Sequence, residues 1–282
     1  YTTSNVLKGS GLSSSAAFEV MIGNILNHIY NNGAVDNVTI AKMAQFAENS
    51  FFGKPCGLMD QTACAVGGLV TIDFADPTAP VIEKLDFDLS AAGYSLCIVN
   101  TGGNHADLNE DYASVPTEMK SVAAALGKTV LRESCEDELI AHTAKIREKC
   151  GDRAFLRAMH FYAENTRVTS QVAALKSGDL GDFFAGVRAS GNSSFKYLQN
   201  VYTTKNVAEQ GLSVALCLTE RFLGNLAADS ACRVHGGGFA GTIQAFVPTA
   251  HADEYKKYIN SVFGDGACFV LNIRPAGAVR LA

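Results

Sequence analysis

A run of glycines and serines near the start of the chain has the composition of a phosphate-binding loop. Residues 9–15 are Gly-Ser-Gly-Leu-Ser-Ser-Ser, and a helical apolar period begins at Ala16. Glycine lets the backbone approach a ligand closely, and the free N–H groups at the start of a helix favour an anion. Serine hydroxyls add donors and an oxygen ligand for Mg²⁺. This serine loop (residues 9–15) predicts polyphosphate binding, with an ordinary serine N-cap behind a flexible lead-in as the alternative.

Two carboxylates follow the serine loop. Glu48 lies in the second predicted helix, and Asp60 lies twelve residues later in Cys-Gly-Leu-Met-Asp-Gln, residues 56–61. A carboxylate can ligate a hard cation or accept a proton in catalysis. A carboxylate in the first turn of a helix also interacts favourably with the helix dipole, and this structural role is the alternative for Asp60.

A third segment, residues 236–242 (Gly-Gly-Gly-Phe-Ala-Gly-Thr), is again rich in glycine and leads into a predicted strand. Taken together, the three segments resemble the GHMP small-molecule kinases and, within them, the galactokinases. The serine loop matches the second family motif, Gly-x-Gly-Leu-Ser-Ser-Ser-Ala, and the glycine triplet resembles the third. Residues 56–61 resemble the segment in which galactokinases carry their catalytic aspartate. The resemblance extends over essentially the whole chain.

The resemblance implies a role for each of these residues. ATP phosphates would bind the serine loop, and Mg²⁺ would be held by Ser15 and Glu48. Asp60 would face the anomeric hydroxyl of galactose and accept its proton or orient it, while Gly57 and Tyr112 would also contact the sugar. The implied cofactor-binding residues are Gly9, Ser10, Gly11, Leu12, Ser13, Ser14 and Ser15.

Two later segments depart from the galactokinase pattern or add no chemistry to it. Basic residues usually follow the sugar-binding tyrosine, whereas Ala-Ser-Val-Pro-Thr-Glu follows Tyr112. A core tyrosine with a satisfied hydroxyl is therefore the alternative for Tyr112. His160 precedes Glu164 by four residues, which indicates a helix-face pair belonging to the scaffold.

The periodicity predicts an α+β fold without regular strand–helix alternation. Phe18, Met21, Ile25 and Ile29 form the apolar stripe of the first helix, and the second helix is expected to bury Ile40, Met43, Ala44 and Ala47. Later helices are predicted over residues 152–177, 183–202, 212–226 and 253–263. Strands are predicted over residues 69–74, 81–88, 94–100, 242–247 and 268–273.

The resemblance implies a two-lobed GHMP-kinase-like fold with mixed or antiparallel sheets and helices. Residues 1–66 would be the remainder of an N-terminal lobe that binds ATP and sugar, and residues 67–282 the C-terminal lobe, whose last residues return to the first lobe. Because the family opens with a motif that supplies an arginine, a Glu-His pair and an aspartate, and nothing comparable precedes Tyr1, we expect the first lobe to be incomplete. We also expect the chain alone to have little or no activity, because a lost cation weakens transition-state stabilisation.

Composition excludes several classes of function. The formal net charge of −5, without a block of basic residues, disfavours nucleic acid and anionic membranes as partners. No apolar run approaches 20 residues, and the eight cysteines form no CxxC pair. These features predict a cytoplasmic protein with reduced thiols. We expect a monomer, with weak dimerisation as the alternative.

Galactose and ATP are thus the expected ligands, and galactose 1-phosphate the expected product. Three other functions stay open: a kinase of a related sugar such as N-acetylgalactosamine or arabinose, a galactose- and ATP-binding sensor without turnover, and a mevalonate- or homoserine-type kinase. The serine loop, Glu48 and Asp60 disfavour the sensor, since binding alone needs neither a metal ligand nor a base. The sugar-kinase context of Asp60 disfavours the third alternative.

Overall fold

The computed structural model describes residues 3–4, 6, 12–53, 56–103 and 108–281. Within these ranges the chain forms ten α-helices and six strands and divides into two compact units. The first unit consists of the described residues of Tyr1–Asp88 and Asn272–Ala282, and the second is Leu89–Leu271. The units divide at Asp88 rather than at the predicted residue 66, because the hairpin that follows residue 66 is bonded to the C-terminal segment of the first unit.

The first unit packs three helices beside a β-hairpin. The helices are α1 (Ser14–Asn31), α2 (Asn37–Ser50) and α3 (Met59–Val66), and each contacts the other two. The antiparallel hairpin pairs β1 (Leu69–Asp73) with β2 (Val81–Leu85). The helices enclose a small apolar core of Val20, Ile40, Ala41, Ala44, Leu58 and Ala65.

The buried faces of the first two helices differ from the predicted ones. On α1, Phe18 and Ile29 are 56% and 63% exposed, whereas Asn24 and Asn27 are buried. The two asparagines lie inside because their side chains bond to backbone: Asn24 Nδ2 donates to Ala278 O at 3.1 Å, and Asn27 bonds both backbone groups of Val35. Side-chain bonds to a distant segment leave no trace in an apolar period, so the predicted stripe of α1 was wrong.

The prediction for α2 was right for Ile40 and Ala44 and wrong for Met43, which is 61% exposed. The buried face of α2 turns instead through Ala41 and Glu48, so a carboxylate occupies a position that an apolar residue usually fills.

The C-terminal segment closes against the end of α3 at two glycines. Gly68 N donates to Arg274 O at 2.8 Å, which brings Gly277 onto the last turn of α3. A Cβ on Gly277 would lie 2.1 Å from Ala65 O, and a Cβ on Gly67 would lie 2.1 Å from Gly277 N. Only residues without side chains allow the two backbones to approach this closely.

The second unit is built on a four-stranded antiparallel sheet with the strand order β4-β5-β3-β6. Its strands are β3 (Tyr94–Asn100), β4 (Ala231–Val234), β5 (Thr242–Pro248) and β6 (Cys268–Leu271). The central pair sets Tyr94 opposite Pro248 and Asn100 opposite Thr242. Strands and helices follow one another without regular alternation, so the predicted α+β class is confirmed.

Helices surround this sheet and form a second cluster of their own. They are α4 (Asn109–Ala125), α5 (Glu136–Ala141), α6 (Thr143–Cys150), α7 (Asp152–Ser177), α8 (Leu180–Ser193), α9 (Gly211–Gly224) and α10 (Ala252–Phe263). A one-turn π-helix, Ser194–Leu198, continues α8. Helices α9 and α10 pack against the sheet, while α4, α5, α6 and α7 enclose an apolar core with Val122, Leu139, Ile146 and Ala158.

A polar network is buried where α7 meets α8. His160 Nδ1 lies 2.9 Å from Ser193 Oγ, while Glu164 bonds to Arg167 and Ser190. Burial lowers the pKa of His160. The positive charges of Arg233 and Arg167 lower it further, whereas the negative charge of Glu164 raises it. The two residues of the predicted helix-face pair, His160 and Glu164, therefore bond α7 to α8 and belong to the scaffold of the second unit.

In the part of the chain that the structure describes, no helix combines the length and apolarity needed to cross a bilayer.

We predict that Gly277→Ala lowers the free energy of unfolding by more than about 2 kcal/mol, because the new methyl overlaps backbone atoms that cannot move independently. Urea denaturation followed by circular dichroism measures the loss. Gly224→Ala is the control, since a Cβ there meets no atom within 4 Å. A loss below about 0.5 kcal/mol in Gly277→Ala contradicts the packing described.

We predict that stability falls as the pH drops below 6.5, and that His160→Gln reduces this fall. The folded chain holds His160 neutral because its pKa is lowered, whereas the unfolded chain takes up a proton at the ordinary value of 6.5. Protonation therefore favours unfolding below pH 6.5 and has no effect above it. Denaturation curves at several pH values measure the difference. The exposed His142→Gln is the control, and an unchanged slope in His160→Gln contradicts the assignment.

Candidate functional site

The described part of the serine loop, residues 12–15, contains a serine with a left-handed backbone. Ser13 is the N-cap of α1, with φ 55° and ψ 49°, and its side chain makes no capping hydrogen bond to the helix. Non-glycine residues enter this region at an energetic cost and are enriched at functional sites. Ser13 thus occupies the N-cap position that was the alternative for this loop, but it does not make the hydrogen bond that is usual for an N-cap serine.

The hydroxyl of Ser13 instead reaches the third helix. Ser13 Oγ donates to Asp60 Oδ2 at 2.6 Å across 47 residues of sequence. Asp60 lies in the first turn of α3, where the helix dipole favours a carboxylate. The short, charge-assisted bond joins the start of α1 to the start of α3, and it leaves Oδ1 of Asp60 outside this bond.

A second serine of the loop contacts the other predicted carboxylate. Ser15 Oγ donates to Glu48 Oε1 at 3.1 Å, and Gln61 Nε2 donates to Glu48 Oε2 at 3.0 Å. Glu48 is 3% exposed and lies in the last turn of α2, where the helix dipole opposes a negative charge. Burial and the dipole both disfavour this anion, so its hydrogen-bond donors are essential to it.

The thiol of Cys56 also lies beside Glu48. Its Sγ accepts a hydrogen bond from Gln61 Nε2 at 3.4 Å. Burial and a hydrogen bond with Glu48 raise the pKa of the Cys56 thiol to about 11. The sulfur therefore stays protonated near neutral pH, and the described groups beside Glu48 include a hydroxyl, an amide and a thiol.

The remaining site predictions in the first unit are less constrained. Gly9, Ser10 and Gly11 lie outside the described residues. Leu12 and Ser14 are half-buried. Gly57 is exposed in the loop that leads to α3, with open space where a Cβ would stand. The sugar contact of Gly57 stays a prediction.

Tyr112 belongs to the second unit, where its hydroxyl donates to Gly238 O at 2.8 Å. Its ring packs edge-on against Phe239, and burial raises its pKa. Asn200 Nδ2 donates to Gly237 O at 3.1 Å, and a Cβ on Gly238 would lie 1.9 Å from Asn200 O. Tyr112 therefore helps to hold the glycine triplet in place, and its sugar contact stays a prediction.

Gln61 belongs to the segment of residues 56–61, but the sequence alone predicts no role for it. Gln61 is fully buried and bonds Glu48, although the sequence drew attention only to the neighbouring Asp60. Its position directly after Asp60, in the segment that contains the predicted catalytic carboxylate, was the available signal.

A cavity of about 650 Å³ lies elsewhere, lined only by residues of the second unit. It opens between α8, α9 and β4, with Arg188, Phe195 and Glu220 on its walls, and it contains none of the predicted site residues. Among the described residues there is also no cluster of three or more His, Cys, Asp or Glu side chains that could hold a metal. An ion at Glu48 would thus need ligands from a hydroxyl and from its substrate.

Comparisons with known proteins agree on one family. Residues 1–68 match the family described as GHMP kinases N terminal domain. The galactokinase of Streptomyces coelicolor is 32% identical over 268 residues, which cover 93% of this chain and 64% of that protein. The galactokinase of Lactobacillus helveticus is 31% identical over 269 residues, which cover 94% and 65%. The chain thus spans less than two thirds of the length of these relatives.

Solved structures share the fold. Lactococcus lactis galactokinase complexed with galactose aligns with a TM-score of 0.77 at 23% identity, covering 98% of this chain and 69% of that one. The mevalonate kinase of L. major in complex with R-mevalonate aligns with a TM-score of 0.61 at 16% identity, covering 94% and 67%. At these identities the likeness concerns the fold alone, and it confirms the predicted GHMP-kinase-like fold.

We predict that Ser13→Gly is more stable than Ser13→Ala by about 1 kcal/mol. Both variants lose the hydroxyl that bonds Asp60, but only glycine adopts the left-handed backbone of residue 13 without a Cβ penalty. Thermal and urea denaturation measure the difference. Equal stability of the two variants, or a more stable alanine variant, contradicts the backbone conformation described.

Proposed function

The chain belongs to the GHMP kinase family, and from this premise we propose that it is a sugar kinase that transfers the γ-phosphoryl group of ATP to the anomeric hydroxyl of galactose. The observation that carries the proposal is the double contact of Ser13 with Asp60 and of Ser15 with Glu48. It brings the phosphate-binding loop together with a candidate base and a candidate metal ligand, which are the groups that phosphoryl transfer needs.

The start of α1 supports the binding of ATP phosphates. Ser13 leaves the first N–H groups of α1 without a side-chain cap, and the first turn contains no acidic residue. The positive end of the helix dipole is therefore free of an internal carboxylate cap. Backbone amides and the hydroxyls of Ser14 and Ser15 would hold the phosphates.

The oxygen pair at Ser15 and Glu48 fits Mg²⁺. The two oxygens lie 3.1 Å apart, and a hard cation such as Mg²⁺ prefers oxygen ligands to the nearby sulfur of Cys56. Protein sites for Mg²⁺ commonly supply one or two oxygens and leave the others to phosphate and water. When bound, Mg²⁺ neutralises charge on the phosphates. Ser15 and Glu48 would place it at the start of α1.

Asp60 is the proposed catalytic residue. Ser13 engages one carboxylate oxygen and so orients the group, while the other oxygen can accept the proton of the sugar hydroxyl or align it for attack. We propose a sugar contact for Gly57, on the loop before Asp60, and a sugar contact for Tyr112. The substrate assignment follows the relatives named galactokinase.

The experiment that tests this function measures ATP-dependent phosphorylation of galactose, N-acetylgalactosamine and arabinose. It uses the chain alone and a hybrid in which the opening segment of the Streptomyces coelicolor galactokinase precedes Tyr1. Turnover of galactose by the hybrid, with little by the chain alone, is the expected result. Turnover confined to another sugar contradicts galactose as the substrate and identifies that sugar instead. Saturable binding of galactose and ATP without turnover identifies a sensor.

We predict that Asp60→Asn in the hybrid lowers kcat by about 10²–10⁴, because the amide cannot accept a proton from the sugar. The affinity for Mg·ATP should change little, since the phosphate and metal contacts are assigned to Ser15 and Glu48. A coupled assay measures kcat, and calorimetry measures nucleotide binding. The exposed Asp86→Asn is the control, and a kcat within a few-fold of the parent hybrid rules out the assigned role of Asp60.

A further inference from the structure

The amide of Gln61 is one of the most deeply buried polar groups of the first unit. It lies in the first turn of α3, directly after Asp60, and none of its surface is exposed. A buried primary amide presents two donor hydrogens and a carbonyl oxygen, and each normally needs a partner. The contacts of Gln61 therefore indicate why a polar side chain occupies this position.

Hydrogen-bond chemistry determines the orientation of this amide. Nε2 lies 3.0 Å from Glu48 Oε2 and 3.4 Å from Cys56 Sγ. An ionised carboxylate only accepts, so the nitrogen and not the oxygen must face Glu48. The opposite atom, Gln61 Oε1, is buried and has no hydrogen-bond partner among the described residues. The donor end is thus satisfied while the acceptor end is not.

This asymmetry argues against a purely structural role. Leaving a buried acceptor unbonded is unfavourable, and an apolar side chain of the same length would avoid it. The contact that an apolar residue could not supply is the N–H bond to Glu48. The position therefore favours glutamine for its effect on the carboxylate.

The geometry at Glu48 shows what that effect is. Ser15 donates to Oε1 and Gln61 to Oε2, so each carboxylate oxygen faces a different donor from a different helix. Two such bonds determine the rotation of the carboxylate plane about the end of its side chain. Each carboxylate oxygen has more than one acceptor site, so a bonded oxygen can still ligate a cation.

We propose that Gln61 is a positioning residue that holds the carboxylate of Glu48 in the orientation required to bind the nucleotide-associated Mg²⁺. The inference rests on the proposed function, because it takes Glu48 as the metal ligand. Residues that orient a metal ligand typically change metal affinity by about 10–100-fold when they are replaced.

The test compares ATP affinity with Mg²⁺ and with EDTA by calorimetry on the chain itself. Gln61→Met keeps the length of the side chain and removes the amide. We expect the enhancement of ATP affinity by Mg²⁺ to fall by about 10–100-fold, with metal-free ATP affinity unchanged. Thr62→Val is the matched control, because Thr62 is equally buried on the same helix and its hydroxyl bonds Leu58 O at 2.8 Å.

The outcomes separate the inference from the function on which it rests. A wild-type enhancement that persists in Gln61→Met overturns the positioning role and leaves the proposed function intact. A loss of the same size in Thr62→Val also overturns it, since any damage to α3 would then suffice. Absence of a Mg²⁺ effect in the wild-type chain overturns the metal assignment and the inference together.

A measurement on the unaltered chain covers the case in which Gln61→Met does not fold. In a ¹⁵N-labelled sample, the side-chain Nε2 resonance of Gln61 should shift when Mg·ATP is added and stay in place with metal-free ATP. The side-chain resonance of Gln45, which bonds Cys56 O rather than a carboxylate, serves as the internal reference. A Gln61 resonance that ignores Mg²⁺ while Mg·ATP binds contradicts the proposal.

Discussion

A buried carboxylate at the unfavourable end of a helix is the constraint around which the first unit is arranged. Glu48 is removed from water in the last turn of α2, where the helix dipole opposes its charge. This carboxylate accepts hydrogen bonds from Ser15 of α1 and Gln61 of α3, so its stabilisation depends on the packing of all three helices. Asp60 has the opposite situation at the start of α3, where the dipole supports its charge and a single serine orients it.

Much of the fold could be predicted because many of its elements have strong local signals. The helix over residues 152–177 has the predicted limits, since a long apolar period ends at a glycine. Strand β4 was missed because Ala-Cys-Arg-Val shows no alternation, and it becomes a strand only by pairing with β5. The buried face of α1 was misassigned for a related reason: Asn24 bonds the carbonyl of Ala278, which lies 254 residues away in the sequence. Local patterns cannot report such long-range bonds.

In the candidate site, too, the residues could be predicted from local motifs, whereas their contacts could not. Ser13, Ser15, Glu48 and Asp60 could be proposed from the sequence because each lies in a motif that resembles a known family. Their pairing could not, because it depends on how three helices pack. The role of Gln61 needed both its burial and the direction of its amide. For Tyr112 the sequence offered a sugar contact or a satisfied core hydroxyl, and in the second unit that hydroxyl bonds the glycine triplet.

The exposed apolar face of α1 has a thermodynamic consequence. Phe18, Ile29 and Tyr30 are already more than half exposed to water in the folded chain. Surface that is hydrated both before and after unfolding adds little to the heat capacity of unfolding, which comes mainly from apolar area newly exposed. The first unit should therefore have a flatter dependence of stability on temperature than a fully covered fold of equal length. The free energy of unfolding of such a unit changes little between cold and moderate warmth.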